Sequence, residues 1–99
     1  MIRGTTPTLE FTIPIDTSEL AEVFVTLSQY GEIVLDKHIR DCQCEGRVVS
    51  LKLSQEETLK LRCSCDTEIQ IRVKTLLGDA YASDVFSVKT GRLLKDGVI

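Results

Sequence analysis

Glu68-Ile69-Gln70-Ile71-Arg72-Val73-Lys74 is the stretch that decides the fold. Apolar side chains take every second position and charged or amide side chains the others, the pattern of a strand with one face in a core and the other in water. A helix, with about 3.6 residues per turn, would scatter Ile69, Ile71 and Val73 over different faces. The same alternation recurs on both sides of this stretch. Leu9, Phe11 and Ile13 oppose Thr8, Glu10 and Thr12; Val23, Val25 and Leu27 oppose Glu22, Phe24, Thr26 and Ser28. Ile33 and Leu35 oppose Glu32, Val34 and Asp36, and Val49, Leu51 and Leu53 oppose Val48, Ser50 and Lys52. A last strand is expected from Tyr81 to Val88, with Ala82, Phe86 and Val88 facing inward.

The punctuation agrees. Gly31, Gly46 and Gly78 fall between consecutive strands, and Glu45-Gly46 and Gly78-Asp79 suit hairpin turns that need a positive φ. Pro14 closes the first strand because it has no N–H for a ladder. Ser54 with Glu57 forms a capping box, and Asp16 with Glu19 makes a similar start, so one or two short helical turns are expected. About seven short strands at intervals of about 10–12 residues predict an all-β chain, an antiparallel β-sandwich, over residues 1–99 as one domain. Residues 1–7 read as an extended arm and residues 91–99 as an apolar C-terminal tail. Two fates are open for the tail. Leu93 and Leu94 complete the core with Val98 and Ile99 docked on it, or the arm or tail docks into a neighbouring subunit.

Composition limits the functions open to such a domain. The 99 residues are 42% hydrophobic and 27% charged, the balance of an ordinary globular chain rather than a disordered one. The longest apolar runs are three residues, as in Val23-Phe24-Val25, so neither a membrane helix nor a secretory leader is read. Twelve Lys and Arg against fifteen Asp and Glu leave a net charge of -3, with the basic residues scattered. Nucleic-acid binding draws most of its affinity from clustered basic groups, and base stacking needs aromatics, of which there are five and no Trp. Protein is the expected partner, with no nucleic acid and no membrane.

Four cysteines form two C-x-C pairs, Cys42-Gln43-Cys44 and Cys63-Ser64-Cys65. On strands each pair would present two thiols on one face, and neighbouring strands could bring four together around zinc. Cys63 and Cys65 also continue the alternation of Leu59 and Leu61, as buried strand cysteines would, and free cysteine behaves as a small apolar residue. Free thiols are the expectation, with no metal or cofactor; a four-cysteine zinc site and disulfides are the alternatives. His38, the sole histidine, is expected to be a solvated residue at a strand end. No phosphate loop, H-E-x-x-H or G-x-S-x-G is present, and no catalytic residues are assigned: the chain is not expected to be an enzyme.

Several segments resemble small proteins encoded in the structural-gene regions of phages and prophages of Gram-positive bacteria. They are Ile2-Arg-Gly-Thr-Thr-Pro-Thr-Leu-Glu-Phe-Thr-Ile13, Leu53-Ser-Gln-Glu-Glu-Thr-Leu-Lys-Leu61, Glu68–Val73 with the Gly78 hairpin, and Leu94-Lys-Asp-Gly-Val-Ile99. Leu53–Gly78 is also similar to part of the N-terminal immunoglobulin-like domain of phage baseplate upper proteins. The resemblance implies an immunoglobulin-like sandwich acting in or beside a virion or tail-like particle. As an expectation, it is an adaptor or decoration subunit that binds other particle proteins or itself through an edge strand, the arm or the tail. It further implies a cytoplasmic location in the producing bacterium, or association with the virion. The rival function is a protein-binding domain stabilised by zinc on Cys42, Cys44, Cys63 and Cys65.

Overall fold

Two ten-residue alternating segments lie side by side at the centre of one sheet and bury their common apolar face against the other sheet. The computed structural model describes all of Met1–Ile99. In chain order the strands are β1 (Thr8–Thr12), β2 (Leu20–Gln29), β3 (Glu32–His38), β4 (Gln43–Glu45), β5 (Val48–Lys52), β6 (Asp66–Thr75), β7 (Ala80–Ala82) and β8 (Phe86–Lys89). One short helix, α1 (Gln55–Leu59), joins β5 to β6, and 3-10 turns occupy Thr17–Glu19 and Ile39–Asp41. The strands form two antiparallel sheets, one in the order β1-β5-β4 and the other β3-β2-β6, with β7 and β8 both paired to the far side of β6. The protein is an all-β sandwich.

The core follows the alternation. Val23, Val25 and Leu27 of β2 lie opposite Val73, Ile71 and Ile69 of β6. These six face Val49, Leu51 and Leu53 from the other sheet, and all nine are buried. Each such aliphatic side chain contributes about 1.5–3 kcal/mol by leaving water. Beneath them lies a buried polar stitch. Gln29 donates Nε2 to the Arg62 carbonyl (2.9 Å) and to Thr67 Oγ1 (3.1 Å), and its Oε1 accepts from the Arg62 N–H (2.8 Å). The Thr67 and Thr90 hydroxyls share a further bond of 2.6 Å.

Four expectations need correction. Ile33 is 65% exposed, while Leu35 is buried as expected. Leu27 pairs with Leu35 but Ser28 pairs with Ile33, so Val34 is an extra residue on β3, and this bulge turns Ile33 to the solvent face. The strand expected over Tyr81–Val88 is two. Ile71 and Ile69 stand opposite Ser83 and Phe86, a step of three residues against two, so Ala82 shares the solvent face of Arg72 while Phe86 and Val88 keep the inner face of Ile69 and Thr67; Phe86 is nevertheless 50% exposed and only Val88 packs on the core. Ser83 fills the break, its Oγ accepting from the Ile71 N–H (3.2 Å) and its carbonyl from Gln70 Nε2 (2.9 Å). Cys63 and Cys65 are not strand residues: the capping box turns Gln55–Leu59 into a helix and leaves both in the loop before β6, Cys63 exposed and Cys65 half-buried. Finally, Leu94, Val98 and Ile99 stand in solvent, Leu94 with 94% of its surface free, and of the tail's large apolar residues only Leu93 is partly covered.

The arm is tied to its own chain. The Arg3 N–H donates to the Gly91 carbonyl and the Gly91 N–H to the Met1 carbonyl, a short parallel bridge beyond the end of β8. Arg3 also caps α1, its guanidinium reaching the Leu59 (2.9 Å) and Leu61 (2.6 Å) carbonyls and Asp96 (2.7 Å). Gly4 sits at φ 73°, where a side chain would be strained, and a Cβ there would lie 2.6 Å from Leu93 Cδ1, so the leucine would have to shift.

Candidate functional site

A sandwich of two open sheets has four outer edges, and the sequence treats them differently. The edge of β3 carries the charges of Glu32, Asp36 and Lys37. β4 is three residues long and ends on Glu45. The edge formed by β7 and β8 is broken at Ser83–Val85. β1 is the remaining edge, five regular residues with one charge, Glu10. Charge, brevity and interruption are the usual ways of blunting an edge, and β1 has the least of them.

The hydrogen-bond parity of β1 follows from its two ends. The Leu53 N–H donates to the Pro7 carbonyl and the Ile13 N–H to the Arg47 carbonyl, both at 2.9 Å. With Thr8 opposite Lys52 and Thr12 opposite Val48, the odd residues Pro7, Leu9, Phe11 and Ile13 are therefore the ones bonded to β5. Thr8, Glu10 and Thr12 turn their N–H and C=O groups away from the sheet. β1 has no second partner, so this row of donors and acceptors is free.

Behind that edge the sandwich is open. A groove of about 480 Å³ runs between β1 and the β7–β8 edge of the other sheet. Leu9, Phe11, Ile69, Ile71, Phe86 and Val88 supply its apolar walls. Leu9 and Phe11 are half-buried because nothing covers them on the groove side. Their alternation was legible in the sequence; the groove was not, since it depends on the edges of the two sheets standing apart, which leaves the inward-facing Phe86 half-exposed. A second apolar patch lies at one end of the sandwich, where Leu76 and Leu77 project from the β6–β7 turn beside Tyr81 and Ile15.

The cysteines do not form a site. Cys44 is on the short β4, Cys42 just precedes it, and Cys63 and Cys65 are on the α1–β6 loop. No three His, Cys, Asp or Glu side chains come close enough to hold a metal ion, so the four thiols do not converge as the zinc alternative requires. All four are free. Burial, then the neighbouring Cys44 and Asp41, push the Cys42 thiol up to about 11, and it donates to the His38 carbonyl (3.4 Å). That is a protonated packing thiol, the reverse of an activated nucleophile. His38 is half-buried rather than freely solvated, its ring edge-on to Phe24 at 5.0 Å.

One charged pair braces the helix against the sheet. Lys37 Nζ on β3 meets Glu57 Oε2 at 2.5 Å, while Glu57 Oε1 accepts from the Ser54 N–H (2.9 Å) to close the capping box. Burial works to raise the Glu57 carboxyl, but its bonds from Lys37 and Ser54 outweigh that and lower it; the bond to Glu57 raises Lys37. No helix is long and apolar enough to cross a membrane. Comparison with protein-family models, with curated proteins and with solved structures finds no match.

Proposed function

We propose that this chain is a non-enzymatic assembly module of the phage or prophage type, which joins other particle proteins or itself by accepting an extended strand along β1. The observation that carries the reading is the free, nearly uncharged β1 edge with an open apolar groove directly behind it. Backbone groups on such an edge provide affinity, and a groove that receives alternate side chains provides selectivity. The strand order supports an immunoglobulin-like sandwich: β1, β5 and β4 stand as strands B, E and D, and β3, β2, β6 and β7–β8 as C′, C, F and G. In that arrangement strand A lies beside B, and here the place beside β1 is empty. The resemblance of Ile2–Ile13 and Leu53–Leu61 to small phage proteins supplies the particle context.

Native mass spectrometry tests the reading, using the chain purified without chelators under reducing conditions, alone and co-expressed with the products of adjacent genes. A discrete complex at the metal-free mass is expected, and it should be lost when Glu10→Pro removes the central donor of the edge. A monomer in both settings refutes the assembly reading. A chain heavier by one zinc ion would move the function to the cysteines.

A further inference from the structure

We propose that the occupant of the β1 edge is β1 of a second copy of this chain, paired antiparallel about a two-fold axis at Leu9. This rests on the assembly reading above and names its partner. Self-pairing needs a strand whose edge-facing residues match themselves when reversed. The outward groups of β1 belong to even-numbered residues, so a two-fold pair must set even against even. Three registers satisfy this with at least three β1 residues paired, their axes at Leu9, Glu10 or Phe11; the one at Phe11 sets Thr8 against Pro14 of the second copy, which has no N–H to give. An axis at Glu10 puts Glu10 against Glu10 of the second copy, like charges directly opposite, which is unfavourable. An axis at Leu9 puts Glu10 against Thr8 of the second copy and Thr6 against Thr12, so that each carboxylate faces a hydroxyl. The charge of Glu10 and the missing N–H of Pro14 together therefore select the Leu9 register.

The inward face suits the same register. Leu9 meets Leu9 of the second copy, and Phe11 meets Pro7, whose missing N–H is no loss because odd residues point their N–H groups at β5. Pairing the two edges brings the two grooves mouth to mouth. The half-exposed Phe86 and the half-buried Leu9, Phe11 and Val88 of each copy are then covered together. The outcome is a continuous six-stranded sheet, β4-β5-β1 followed by β1-β5-β4 of the second copy. The other three edges offer no such match, being charged, short or interrupted.

Sedimentation equilibrium of the whole chain from micromolar to millimolar concentration tests this, with thermal melts to confirm folding. A monomer–dimer equilibrium is expected for the native sequence. Glu10→Pro should weaken it at least ten-fold while the melt remains cooperative. Thr8 is exposed and outside the core, so its variants keep the fold. In the Leu9 register Thr8→Lys places an ammonium opposite Glu10 twice per dimer and should tighten association about ten-fold at low salt, while Thr8→Glu should weaken it about as much. A native chain monomeric throughout overturns the inference; the assembly reading then still stands or falls on the co-expression experiment. A dimer indifferent to Glu10→Pro overturns it by placing the interface elsewhere. A dimer lost with Glu10→Pro but indifferent to both Thr8 variants overturns the register.

Discussion

A proline scan along β1 reads the orientation of its backbone directly. The ladder bonds at Pro7 and Ile13 place the N–H groups of Leu9 and Phe11 on the β5 side and those of Glu10 and Thr12 on the open side. Leu9→Pro removes a donor to the carbonyl of Leu51, a residue only 1% exposed, and forces the ring against β5. An acceptor left unpaired in such a place costs about 1–3 kcal/mol, and with the steric clash the total reaches about 3 kcal/mol or more. Glu10→Pro removes an N–H that has no protein partner and costs about 1 kcal/mol or less, the residue before it being already extended. Leu9→Ala and Glu10→Ala serve as references, so that loss of the side chain is subtracted from each. In a domain of this size 1 kcal/mol moves Tm by about 4–8 °C, so the two positions should differ by about 10 °C or more in a thermal melt of dilute protein. Phe11 should repeat the Leu9 result and Thr12 the Glu10 result. Equal losses at odd and even positions would refute the free edge, and with it both functional inferences.

Three further outcomes follow from the geometry. Gln29→Ala strands both backbone groups of Arg62 and should lower stability by about 2–4 kcal/mol in urea unfolding, whereas a loss under about 1 kcal/mol would show that water replaces the amide. Tyr30 and Gly31 form the two-residue β2–β3 turn with φ of 52° and 75°, so Tyr30→Asn, which tolerates that region far better, should raise Tm, the gain being about 0.5–1 kcal/mol. Because the folded carboxyl of Glu57 is lowered below its ordinary 4.5, its share of stability is complete above that pH and is lost as pH falls through the lowered value. Glu57→Gln should therefore cost about 1 kcal/mol near neutrality and flatten the acid limb of a stability–pH curve below 4.5, and an unchanged limb would exclude the Lys37 pair as a stabilising contact.

How far the sequence could be read depended on whether a residue's place is set by its neighbours or by a distant partner. The faces of β2, β5 and β6 were legible because period-two alternation is local, and the Ser54–Glu57 box because both halves lie within one turn. Ile33 was misplaced because a bulge is a property of pairing: Val34 is surplus only in relation to Leu27 and Ser28, and no pattern within β3 announces it. The same holds at Ser83, where one residue too many against Ile69–Ile71 put Ala82 on the solvent face while Phe86 and Val88 stayed inward. Arg3 left no signal at all, since its role depends on α1 ending fifty-six residues later at the Leu59 carbonyl. The cysteine spacing could decide little by itself: C-x-C is a conspicuous local pattern, yet a shared site required two strands to be neighbours, and Cys63 and Cys65 lie on no strand, so the thiols expected to be free are free.

Those two surplus residues also bear on why β1 is the edge left open. A bulge increases local twist and spoils the register an incoming strand must match, so the irregularities in β3 and between β7 and β8 protect both edges of the larger sheet. β4 is protected by its brevity. On β1 the register runs from Thr8 to Thr12 without a shift, and the single charge stands where only a self-pairing centred on Glu10 would bring it against its own copy. Had the edge needed only protection, a lysine at Thr8 or Thr12 would have supplied it without touching the core, since both side chains are exposed. Three edges with obstacles and one without are the distribution expected of a sandwich that joins through a particular side, and the groove behind that side gives the joined strand something to bury.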